Sequence, residues 1–224
     1  MFIHLRLHTE FSVVDGVNRI DDVVQAAQAD RQPALAITDL NNLFGAIKFY
    51  KAARGAGIKP LIGAELVLQG LGTDVHATTR LQLLVQNNQG YLNLCELLSR
   101  GWTQNANNAN KAQAVCKLAW LQELNEGLIA LSGAQAGPLG QALVQGDTAR
   151  AGDVALQMAT LFPHRFYIEL QRAGRVDDEA HVAAAVQLAA RLKLPVVATH
   201  PVQFTQIDDY ESHEARVCIA EGEI

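Results

Sequence analysis

Residues 2–16 read F-I-H-L-R-L-H-T-E-F-S-V-V-D-G. The apolar run 2–7 has strand character and delivers His8 to its C-terminal end. A Thr9-Glu10-Phe11-Ser12 turn follows, then Asp15-Gly16. Histidine and aspartate placed after a strand are the groups that hold divalent cations. Arg6 stands two residues before His8, and a guanidinium neither loses its proton nor ligates a cation. His8 and Asp15 are therefore candidate ligands, and Arg6 is not.

Outward from this stretch, short β-like runs alternate with helical segments. Strands are expected at 34–38, 59–67, 81–86, 128–131, 166–170 and 194–198. Helices are expected at 18–29, 44–56, 138–145, 148–161, 177–192 and 208–220, with another from Gly90 through Leu98. Gly55-x-Gly57 reads as a helix stop, since no phosphate-cradle context follows it. The Asn/Ala/Gln-rich segment 104–114 reads as an exposed low-complexity loop within one domain. Six or seven strand–helix units imply a parallel sheet, barrel or doubly wound, with function at the C-terminal strand ends.

The bulk properties narrow the class. The 224 residues are 49% hydrophobic and 18% charged, with a net charge of -5. That describes a globular domain and argues against one that grips nucleic acid by itself. Cys95, Cys116 and Cys218 have no zinc-type spacing and read as free thiols in a reducing cytosol. No apolar run reaches membrane-span length, and the N-terminus shows no signal pattern. Cytoplasmic localisation is the default.

The expected strand ends carry His8 and Asp15; Asp39 and Leu40; Glu65; Ser132-Gly133-Ala134; Glu169-x-Gln171; and Thr199-His200-Pro201-Val202-Gln203. Arg80 precedes the strand at 81–86. His8, Asp15, Asp39 and Glu65 form a candidate carboxylate-and-imidazole cluster able to hold a metal and activate a water. The alternative is structural: strand-end carboxylates also cap helices and pair with arginines.

Several phrases carry a resemblance. They are H-L-R-L-H-T-E-F-S-V-V-D-G, P-A-L-A-I-T-D-L-N-N-L-F-G, G-I-K-P-L-I-G-A-E, N-N-Q-G-Y-L-N-L, L-N-E-G-L-I-A-L-S-G, F-Y-I-E-L-Q-R-A-G and L-P-V-V-A-T-H-P-V-Q-F. In order, across essentially the whole chain, they resemble the N-terminal PHP (polymerase and histidinol phosphatase) domains of bacterial DNA polymerase III alpha subunits. The resemblance implies an α/β fold, a distorted (β/α)7 barrel, filling 1–224 as a single domain of a longer polymerase chain. Active members hold a multi-metal cluster at the C-terminal face. Carried over by position, the ligands survive at His8, Asp15 and Glu65, with Asp39 nearby. They are lost at Arg6, Leu40, Arg80, Ala134, Pro201 and Gln203.

Arg6 and Arg80 can replace a lost cation and pair with Asp15, Asp39 or Glu65. The expectation is therefore a degenerate, metal-free domain with no catalytic residue and no cofactor of its own. Magnesium would serve the parent polymerase, which makes DNA from the DNA template. The implied partners are the palm and thumb of the same chain and the epsilon proofreading exonuclease, with little direct nucleic-acid binding and no membrane. The alternative is an active metal-dependent phosphoesterase, a 3'-5' exonuclease or pyrophosphatase. His4 and His200 read as non-ligands, and Trp102 and Trp120 as anchors of the 104–114 loop.

Overall fold

The structure is a computed structural model describing residues 2–71, 77–104 and 114–221. Apart from its two end residues, the expected 104–114 loop lies outside the described residues. The chain divides into two compact units, Met1–Ala64 with His200–Ile224, and Glu65–Thr199.

In the first unit, α1 (Ile20–Ala29) buries Ile20, Val23, Val24 and Ala27, a one-sided helical stripe. Asp21 and Asp22 lie in its first turn, where the helix dipole favours negative charge. β1 (Ala34–Ile37) is buried at every position and pairs in parallel with the start of β2 (Lys59–Gln69), from Ala34↔Lys59 to Ile37↔Ile62. α2 (Ala46–Gly55) ends at the expected Gly55-x-Gly57. Ile20, Val23, Val24, Leu35, Ile37 and Phe49 share one core.

The segment 2–7, expected as a strand, runs beside β1 without a regular ladder. Ala36 N–H donates to His4 O and Thr38 N–H to Leu7 O, so acceptors three residues apart face donors two apart. The Leu7 N–H goes to the Thr38 hydroxyl (2.9 Å) instead of a backbone carbonyl. On its other side, His8 N–H donates to Val202 O (2.9 Å), with an isolated Leu7↔Val202 bridge. α8 (Asp209–Glu221) completes the unit.

The second unit contains the rest of β2 and β3 (Thr78–Val85), α3 (Asn88–Thr103), β4 (Cys116–Lys117), α4 (Leu118–Glu123), β5 (Leu128–Leu131), α5 (Pro138–Val144), α6 (Thr148–Leu161), β6 (Phe166–Gln171), α7 (Asp178–Leu192) and β7 (Val196–Thr199). Its strand order is β2-β3-β5-β6-β7, with β4 paired to the end of β2. β5, β6 and β7 are parallel, as expected. β3 runs antiparallel to β5. A parallel neighbour needs a crossover of about a dozen residues. The stretch between Gln69 and Thr78 is shorter than that. No helix among the described residues is long and apolar enough to cross a membrane.

Candidate functional site

In the first unit the 2–16 stretch is tied down at Asp39. The Asp39 carboxylate is 1% exposed. Its Oδ1 accepts from Thr9 N–H (2.6 Å) and Ser12 Oγ (2.7 Å), and its Oδ2 accepts from Thr9 Oγ1 (2.8 Å). Ser12 Oγ in turn accepts from Leu40 N–H (3.1 Å), and Asn42 Nδ2 donates to Phe11 O (2.9 Å). The Thr9-Glu10-Phe11-Ser12 turn is thus laced to the segment after β1. Gly16 makes the return possible, since a Cβ there would stand 2.7 Å from the carbonyl oxygens of His8 and Thr9.

His8 is buried at the same turn, and Asn18 Nδ2 donates to its carbonyl oxygen (2.9 Å). Arg6 is buried two residues earlier; Asp15 and Leu40 are half-buried. Pro201 and Gln203 are also half-buried, and Gln203 O accepts from Val17 N–H (3.0 Å). Exposed His200 lies 6.5 Å from His4, ring to ring.

The second unit holds the other positions. Glu65, on β2, is 1% exposed, and its Oε2 lies 3.5 Å from Arg80 Nη1. Arg80 is the third residue of β3, inside the strand rather than before it. Because β3 is reversed, its N-terminal end lies where β5 finishes, with Gln82 opposite Leu131. This reversal places a residue near a strand start among residues that follow strand ends. A Cβ on Gly133 (φ 82°) would stand 2.3 Å from Arg80 O. Ala134 is buried in the same turn.

A third buried carboxylate, Glu169 on β6, is, like Asp39, held by several donors. It accepts from Thr199 Oγ1, from Gln171 Nε2 (3.0 Å) and from Gly133 N–H (3.0 Å). Glu169 and Gln171 stand at an expected strand end but had no expected role, and Thr9, Ser12 and Thr199 are carboxylate partners that sequence reasoning missed. The signal available was the clustering of hydroxyl residues beside strand-end carboxylates. Chemically, these arrangements saturate carboxylate oxygens with donors from the chain itself. Among the described residues, no group of three or more His, Cys, Asp or Glu side chains is arranged to hold a metal ion.

Comparison with known proteins follows the same lines. The chain is 47% identical to the DNA polymerase III subunit alpha of Pseudomonas aeruginosa over 99% of its length, and 43% identical to that of Escherichia coli K12. It spans 18% and 19% of those proteins. Two solved structures share its α/β fold. One is a protein given provisionally as a metal-dependent phosphoesterase from Bifidobacterium adolescentis (TM-score 0.59, 11% identity, 96% of each chain). The other is an amidohydrolase from Chromobacterium violaceum with bound sulfate and no metal (TM-score 0.60, 16% identity, 96% of this chain and 97% of that one). A family model described as the PHP domain matches residues 4–173, and the chain belongs to that family.

Proposed function

We propose that this chain is a degenerate, metal-free PHP domain whose buried strand-end carboxylates are held by the chain's own donors, and that it serves as a structural and docking scaffold. The observation that carries the reading is that its buried strand-end carboxylates are engaged by donors of the chain itself. Asp39 is held by Thr9 and Ser12, and Glu65 by Arg80. The donor set does not fit a multi-metal cluster. Arg6, Leu40, Arg80, Ala134, Pro201 and Gln203 stand where the family resemblance places ligands, and none is a side chain that binds a hard or borderline cation well. His8, Asp15 and Glu65 are the remnant. Together the 224 residues form one domain.

The polymerase relatives support the rest. The domain is part of a cytoplasmic DNA polymerase III alpha chain, and the magnesium-dependent nucleotidyl transfer belongs to regions outside these residues. Its partners are the palm and thumb of that chain and the epsilon exonuclease. In this reading the donor set does not fit a metal cluster, and the domain carries no catalytic step of its own.

Co-purification with the epsilon exonuclease tests the docking role. The scaffold reading expects a stoichiometric complex that survives chelator. Failure to bind, together with manganese-dependent hydrolysis of an aryl phosphate or pyrophosphate, would replace it with the phosphoesterase reading.

A further inference from the structure

A cavity of about 300 Å³ opens in the first unit beside the end of α1. Val23, Ala27, Leu35 and Phe204 supply apolar wall. His4, Asp30 and Gln32 supply its polar side. Gln32 is only 8% exposed. Its Nε2 donates to Asp30 Oδ2 (3.0 Å), and its Oε1 has no hydrogen-bond partner. An ionised carboxylate only accepts, so the Asp30 contact fixes which end of the amide is NH2. The carbonyl end is the one left over. His4 Nδ1 is likewise buried without a partner. Burial and the neighbouring His200 hold the His4 imidazole below its ordinary value against the opposing pull of Asp30; this favours the neutral ring, and Nδ1 accepts in its Nε2–H tautomer.

The polar side of this cavity therefore offers acceptors and one negative charge, set against an apolar wall. A buried amide oxygen without a donor is costly, so a ligand that supplies the N–H recovers that cost. The volume lies at the lower end of small-molecule sites. We infer that the cavity binds a primary ammonium or amidinium on a compact apolar stem, with N–H groups donated to Gln32 Oε1 and the Asp30 carboxylate. The same chemistry is carried by a free organic amine or by a Lys or Arg side chain of a bound partner. This inference is independent of the scaffold reading, since none of these residues is at a family ligand position.

Benzylamine is the probe, and benzyl alcohol its neutral counterpart. In calorimetric titration of the natural chain, benzylamine is expected to bind once per chain, about tenfold or more tighter than benzyl alcohol. Asp30→Asn, at the exposed rim, is expected to remove most of that preference while leaving benzyl alcohol unchanged. Gln32→Leu is expected to weaken both probes. Repeating the titration on the native assembly from cells separates the sources: retained binding points to a free amine, lost binding to a partner side chain. No benzylamine binding at millimolar concentration by the folded chain overturns the inference. Equal affinity for the two probes also overturns it.

Discussion

Replacing Asp39 by alanine separates a structural carboxylate from a metal ligand most cleanly. Three donors converge on this side chain: Thr9 N–H, Thr9 Oγ1 and Ser12 Oγ. Thr9, Ser12 and Asp39 are at most 6% exposed. A hydrogen bond to a charged group contributes about 1.5–3 kcal/mol, and the sum is not additive. The two hydroxyls can turn to new acceptors. The Thr9 N–H cannot, and a buried orphan of that kind costs about 1–3 kcal/mol. With the small void left behind, Asp39→Ala is expected to cost roughly 3–5 kcal/mol. Asp39→Asn keeps one acceptor oxygen and is expected to cost about 1–2 kcal/mol. Urea denaturation with and without chelator measures both. If Asp39 were waiting for a metal among like-charged neighbours, neutralising it in chelator would be neutral or stabilising. A loss for Asp39→Ala below about 1 kcal/mol would refute the reasoning.

Three further outcomes follow from the same structure. Arg80→Met is expected to cost about 1–2 kcal/mol, because Glu65 is buried while Arg80 is one-third exposed and screened; a double-mutant cycle with Glu65→Gln that proves additive would mean the pair is not coupled. His181, 1% exposed with both ring nitrogens unpartnered, is held below its ordinary 6.5 chiefly by burial, against the pull of Asp178 and Glu169. Below pH 6.5 the unfolded chain takes a proton that the folded chain refuses, so stability should fall with pH by up to about 1.4 kcal/mol per unit until the folded value is reached. His181→Leu should make that slope shallower, with His4 supplying the remainder, and an unchanged slope would remove His181 from the account. Gly16→Ala should lower the melting temperature markedly, since its Cβ meets two backbone carbonyls that cannot turn aside; wild-type melting would show that the turn has room.

Much of the fold was legible because local signals agreed with the tertiary result. β5 (Leu128–Leu131) and α6 (Thr148–Leu161) appear at their expected bounds. β5 lies between Gly127 and Gly133, both at positive φ, and α6 is capped by Asp147, which accepts from Arg150 N–H (2.9 Å). The 2–7 segment was legible as extended chain only. Whether it forms a ladder depends on Thr38, 31 positions away, whose hydroxyl intercepts the Leu7 N–H. The direction of β3 was hidden for a related reason. Strand propensity says nothing of orientation, and the short connection before β3 carried the information. β4 and α4 were missed because two residues of strand and six of helix fall below the length at which periodicity is visible.

At the candidate site, charge identity was readable and pairing was not. That Arg80 would meet a carboxylate followed from the replacement of a cation by a guanidinium, but that this carboxylate is Glu65 rather than Asp15 or Asp39 did not. The hydroxyl cradle of Asp39 did not, because Thr9 and Ser12 look like ordinary turn residues until the chain folds onto β1. Glu169 likewise meets Thr199 only through the pairing of β6 with β7, Gln171 opposite Thr199.

Elemental analysis of the natural chain's PHP region, purified without chelator and exposed to zinc, manganese and iron, reaches the central claim directly. The account predicts metal far below one ion per domain, and no change in stability on adding chelator. Two or more tightly held ions per domain, released only with loss of structure, would contradict it.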